Sequence, residues 1–89
     1  MITMDENRSM NPHFASLVMG LAAQATSVLE GNLPAEAAGA DPREIARTLI
    51  DSLGMLEEKT RGNLSEDEKQ LLTQVLTGLR FRFVDGAPR

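Results

Sequence analysis

The densest run of acidic side chains in this chain is Glu66-Asp67-Glu68, directly after Ser65. Consecutive carboxylates invite a divalent cation, but the run has neither the loop spacing of a calcium hand nor the repeated Glu-x-x-His pairs of a di-iron bundle. Ser65 and Glu68 instead stand at the spacing of a capping box, in which a hydroxyl and a carboxylate satisfy backbone N–H groups at a helix start. A serine used in this way is not poised as a nucleophile. The single histidine, His13, has no acid or nucleophile at an obvious partner spacing, and the chain contains no Cys to build a zinc site or a disulfide framework. Glu57 and Glu58 are adjacent and diverge by about 100° on a helix, which makes them poor partners for acid/base work. No catalytic, cofactor-binding or metal-ligating residue is assigned on these grounds, and no cofactor is expected.

Basic side chains raise the question of nucleic acid. Lys59, Arg61, Arg80 and Arg82 are the candidates, in a chain of net charge -4 with 13 acidic against nine basic residues. That balance disfavours binding to a polyanion or an anionic membrane. A helix-turn-helix reading also fails on charge, because the recognition helix would begin with Glu66-Asp67-Glu68. Neither nucleic acid nor membrane is therefore an expected partner. The residues before Asn11 carry Asp5 and Glu6 where a secretory signal would be basic, and the reading is of a cytoplasmic protein.

The elements that position these residues read as three helices. Asn11 followed by Pro12 is a cap and first-turn proline, and Gly31-Asn32 with Pro34 stops the helix, giving a first helix over about 12–30. Between Phe14 and Leu29 there is no charged side chain. Phe14, Leu17, Val18, Leu21, Ala25, Val28 and Leu29 form one face, widened by Met19 and several alanines. The helix is too short and too polar for a membrane span and is expected to lie against a core or a subunit interface.

Residues 31–40 read as a connector. Asp41-Pro42-Arg43-Glu44 then opens a second helix over about 42–60, presenting Ile45, Leu49, Leu53 and Leu56, flanked by Ala46 and Ile50. Arg47 with Asp51 and Glu57 with Arg61 stand at i,i+4 spacing for weak solvent pairs. Gly54 lies off the main stripe and either permits close approach of another backbone or is simply tolerated, at a cost of about 1 kcal/mol against alanine. Lys59, Arg61 and Gly62 suit a helix end, and a third helix over about 66–83 turns Leu71, Leu72, Val75, Leu76, Leu79 and Phe83 to one side. Arg80-Phe81-Arg82-Phe83-Val84 alternates like a strand, but no other segment offers to pair with it, so helix to about Phe83 is preferred. Residues 1–11 and 85–89 are expected to be tails flanking one helical domain at 12–84.

The run from Ile50 to Leu64 reads Ile-Asp-x-Leu-x-Met-Leu-x-x-Lys-Thr-x-Gly-Asn-Leu, with Glu68 and Leu71-Leu72 following. Phe14 to Ala22 adds Phe-x-x-Leu-Val-x-x-Leu-Ala upstream, and Leu79-Arg80 falls late in the chain. With these motifs the chain resembles the bacterial family catalogued as domain of unknown function 1844, over about residues 13–84. The resemblance implies a short helical protein of the bacterial cytoplasm, and it brings no activity, substrate or catalytic residue with it. The Ala/Gly-rich connector at 35–40 departs from the pattern.

The expected architecture is all-α: a small three-helix bundle, or a helical hairpin with a packed first helix, completed by dimerisation. At 89 residues a core buries only a modest share of the chain's surface, which favours association. The expected function is non-enzymatic self-association, with a homodimer favoured, or interaction with an unidentified protein. The candidate surface comprises Leu17, Met19, Leu21, Met55, Lys59, Thr60, Arg61, Asn63 and Phe81. Two alternatives stand beside it. One is a small-molecule or enzymatic site near the turn between helices two and three, using Asp51, Glu58, Lys59, Thr60 and Asn63; the other is nucleic-acid binding through the four basic residues named above.

Overall fold

Each helix begins where a short polar side chain can take up free N–H groups. In the computed structural model, which describes residues 9–33, 35–37 and 39–85, helix α1 spans Pro12–Leu29, α2 spans Pro42–Lys59 and α3 spans Glu66–Asp85, with a 3-10 turn at Ala35–Ala37 between the first two. Asn11 Oδ1 accepts from the N–H groups of His13 and Phe14 at 2.8 and 3.2 Å. Asp41 Oδ1 accepts from the Arg43 N–H at 3.0 Å. Pro12 and Pro42 sit where a missing N–H costs nothing.

The helix ends are equally local. Gly31 adopts φ 92°, and its N–H donates to Val28 O while that of Asn32 donates to Ser27 O, both at 2.9 Å. This is the paired bonding of a Schellman motif. After α2, the Asn63 N–H donates to Thr60 O at 2.8 Å across a turn with Gly62 at φ 88°. A left-handed residue is needed there, and glycine supplies it without a Cβ clash.

The three helices run up, down, up. Asn11 meets Glu68 near the starts of α1 and α3, and Glu30 meets Arg82 near their ends, so these two helices are parallel. Arg43, at the start of α2, reaches Phe83 at the end of α3, so α2 opposes both.

The core is Val18, Ala25, Ile50, Leu53, Leu72, Leu76 and Leu79, with Val28 and Ala46 also buried. Phe14, Leu21, Leu29, Leu49, Leu56, Leu71, Val75 and Phe83 pack around it half-buried. In α2 the buried residues are Ala46, Ile50 and Leu53: of the expected stripe Ile45, Leu49, Leu53 and Leu56 only Leu53 is fully buried, and the flanking Ala46 and Ile50 lie deeper than the other three. The cause is that α2 has a helix on each side. Ile45 and Leu49 border α1, while Ile50 borders α3, so the positions between them are covered most completely. On α1, Leu17 lies about 100° from Val18, at the margin of the apolar arc, and remains 50% exposed.

The alternating segment is helical, and α3 continues through Val84 to Asp85, beyond the expected end at Phe83. The intrahelical pairs Arg47–Asp51 and Glu57–Arg61 do not form. Among the described residues the ion pairs are Lys69–Glu66 at 3.9 Å and Arg82–Glu30 at 3.4 Å, both exposed. Gly54 admits a side chain: a Cβ there would lie 3.1 Å from Arg80 Nη2. Among the described residues no helix is long and apolar enough to cross a membrane. The first eight residues of the expected amino-terminal tail, and residues 86–89, lie outside the described part of the chain.

Candidate functional site

The capping box forms at the start of α3 and extends further than its local spacing implies. Glu68 Oε1 accepts from the Ser65 N–H at 2.8 Å, and the Glu68 N–H donates to Ser65 Oγ at 3.2 Å. The second carboxylate oxygen, Oε2, accepts from the Asn11 N–H at 2.8 Å. Ser65 Oγ in turn donates to the Ser9 carbonyl at 2.7 Å. One carboxylate thus serves the caps of two parallel helices, and it is only 8% exposed.

Its electrostatics follow from that geometry. The Ser65 N–H and then the Asn11 N–H hold the Glu68 carboxyl below the ordinary glutamate range, against the opposing effect of desolvation. An open groove of about 770 Å³ adjoins this clasp, lined by polar residues that include Ser9, Asn11, Asn63 and Ser65. No buried side-chain N or O atom among the described residues lacks a hydrogen-bond partner. Within the groove, the side chains of Asn11, Ser65 and Glu68 are occupied in capping the helices.

At this end of the bundle lie four of the expected surface residues. Lys59 closes α2, Thr60 caps it with its hydroxyl donating to Leu56 O at 2.7 Å, and Arg61 and Asn63 are exposed on the turn. The other basic pair is at the far end: Arg80 lies beside Gly54, and Arg82 meets Glu30. The polar residues of the enzymatic alternative are likewise spread out. Asp51 lines a small cleft with Arg47 and Arg80, whereas Asn63 lines the groove beside the clasp. No group of three or more His, Asp or Glu residues that could hold a metal ion occurs among the described residues.

The apolar candidates fall on all three helices. Leu17 and Met19 are half exposed on α1, Met55 is half exposed on α2, and Phe81 is 70% exposed on α3. Leu21 packs half-buried against the core and belongs to the bundle more than to its surface. Phe81 borders a groove of about 390 Å³ between α1 and α3, together with Ala22, Thr26, Val75 and Gly78.

A sequence profile for a family described as a domain of unknown function, DUF1844, matches residues 11–85. The chain belongs to this family. The matched span takes in all three helices of the DUF1844 chain and begins at Asn11, the residue gripped by Glu68. No curated protein and no solved structure matches it.

Sequence reading of this DUF1844 protein misses two features of the surface. Val84, 72% exposed, falls at the boundary between the expected helix and tail, because its alternating neighbours obscure the helical continuation. The long-range bond of Glu68 is also missed. Its signal is the position four residues before Leu72, on the buried stripe of α3, where a carboxylate needs partners for both oxygens.

Proposed function

We propose that this protein is a non-enzymatic self-association module whose partner is a second copy of the same chain. The observation that supports this is the exposed face of α1. Ser16, Leu17, Met19, Gly20, Ala23 and Gln24 are all exposed, and none carries a charge. A helix surface left to water ordinarily places charged side chains opposite its core stripe. Here the outward arc of α1 holds Leu17 and Met19 and no charge, whereas α2 exposes Met55 among Arg47, Asp51, Glu58 and Lys59, and α3 exposes Phe81 and Val84 beside Arg80, Arg82 and Asp85.

Charge also favours a copy as the partner. A chain of net charge -4 repels its own kind over most of its surface, and an uncharged face is where two copies meet without that cost. Such a face is self-complementary, as a two-fold interface requires. Sedimentation velocity from about 1 to 200 µM tests the reading, spanning affinities of roughly -8 to -5 kcal/mol. A rise in sedimentation coefficient towards that of a dimer is expected. A monomer at every concentration overturns the reading.

A further inference from the structure

Between α2 and α3, at the end of the bundle where Arg43 meets Phe83, lies a small cleft of about 180 Å³. Arg47, Ile50 and Asp51 line it from α2, and Arg80, Phe83 and Val84 from α3. Two cations, one anion and an apolar surface thus share the space of about six waters of the liquid. The charges have not neutralised one another. Asp51 stands four positions after Arg47 and Glu44 three before it, yet neither carboxylate comes within ion-pair distance. Among the described residues, the side chains of Arg47, Asp51 and Arg80 have no hydrogen-bond or ion-pair partner. The other two arginines at this end are committed, Arg43 to Phe83 and Arg82 to Glu30.

Arg80 also has room made for it. Gly20, Gly54 and Gly78 all lie inside helices, where glycine is weaker than alanine. A Cβ on Gly20 or Gly78 would meet nothing within 4 Å, whereas one on Gly54 would lie 3.1 Å from Arg80 Nη2. Gly54 therefore lets the guanidinium of Arg80 reach across from α3 and lie against α2. The apolar part of the cleft is equally defined. Ile50 is buried, Phe83 is held by the guanidinium of Arg43 stacked on its ring, and Val84 stands exposed at the rim.

We infer that this cleft binds a small zwitterion with an apolar tail, of the class of the apolar α-amino acids. The N–H groups of Arg47 and Arg80 donate to its carboxylate, and its ammonium donates to the carboxylate of Asp51. Its side chain lies on Ile50, Phe83 and Val84. A simple oxyanion such as phosphate satisfies the two arginines but meets the like charge of Asp51. The three charged side chains are exposed to water, so the dissociation constant is expected to be on the order of 1 mM. The cleft is remote from the outward face of α1, and its occupancy is independent of self-association.

Titration of L-leucine into the isotope-labelled protein near neutral pH, followed by NMR through the backbone amides, tests the site. Saturable shifts centred on the amides of Asp51 and Val84 are expected. Isocaproate lacks the ammonium and isoamylamine lacks the carboxylate; each, like inorganic phosphate, is expected to bind at least about fivefold more weakly than leucine. Arg80→Gln and Asp51→Asn change exposed side chains and should leave far-UV helicity intact. Each is expected to weaken leucine binding at least about fivefold, while Asp51→Asn should not weaken isocaproate. Shifts that do not saturate below about 50 mM leucine, or an affinity unchanged by Arg80→Gln, overturn the site. Isocaproate or phosphate binding as tightly as leucine overturns its assignment to an amino acid.

Discussion

The Asn11 N–H donates to Glu68 Oε2 at 2.8 Å across 57 positions of sequence. This bond turns a local capping motif into a tie between two helices. It also places an ionised group at a nearly buried position, where each of its oxygens is bonded to a backbone donor. Removing the carboxylate leaves two N–H groups without their partner. Glu68→Ala is therefore expected to destabilise the fold by about 2–3 kcal/mol, the usual scale for hydrogen bonds to a charged group. The exposed neighbour gives the contrast: Glu66→Ala, which loses only the 3.9 Å pair with Lys69, should cost less than about 0.5 kcal/mol. Urea denaturation of both variants reads the difference, and equal midpoints would refute it.

The same carboxylate predicts an acid dependence. A carboxyl whose folded pKa is lowered binds fewer protons folded than unfolded, so its contribution is complete above the ordinary value of roughly 4.3 and declines as pH falls through and below it. Between pH 7 and pH 3 the wild type should lose more stability than Glu68→Gln does. Parallel losses in the two proteins would remove Glu68 as the cause.

Arg43 and Phe83 hold the opposite end of the bundle. Arg43 Nη1 donates to Phe83 O at 3.0 Å, and its guanidinium carbon lies 3.9 Å from the centre of the Phe83 ring. A lysine retains the charge but loses the flat group that both stacks and donates. Arg43→Lys is expected to lower stability by about 0.5–1 kcal/mol, measured by denaturant unfolding.

Two glycines should respond with opposite sign. Gly62 needs a positive φ, so Gly62→Ala is expected to destabilise by about 1–2 kcal/mol. Gly54 is helical, and the atom an added Cβ would meet is the far end of the exposed, flexible Arg80 side chain. Arg80 can swing aside into solvent, so Gly54→Ala is expected to gain up to about 1 kcal/mol of helix propensity, and its melting temperature should rise.

Leu53 and Leu17 separate core from surface. Leu53 is fully buried, and Leu53→Ala should cost about 2–5 kcal/mol. Leu17 is half exposed, and Leu17→Ala should cost under about 1 kcal/mol in the monomer while reducing association. Thermal melts at low concentration, paired with sedimentation at high concentration, check both parts.

The bundle is legible in the sequence wherever its signals are local. Asn11-Pro12, Asp41-Pro42 and Ser65 with Glu68 place the helix starts, because a cap is decided within one turn. Gly31 and Gly62 place the ends for the same reason. The buried stripes of α1 and α3 follow from periodicity. The α2 stripe is displaced, since its centre depends on where two neighbours lie and not on its own pattern. The ties Asn11–Glu68 and Arg43–Phe83 join residues distant in sequence, and no spacing rule encodes them. The candidate surface is legible as composition, through the absence of charge on α1. Which of its residues point outward emerges only when the helices are packed.

The tertiary bonds of α3 fall at its two ends. Ser65 and Glu68 hold its beginning to Ser9 and Asn11, while Arg82 and Phe83 hold its finish to Glu30 and Arg43. Helix ends ordinarily fray first, exchanging their amide protons well ahead of the middle. In α3, unwinding a terminal turn must also detach a neighbouring helix, so local opening is coupled at both extremities to the loosening of the whole bundle.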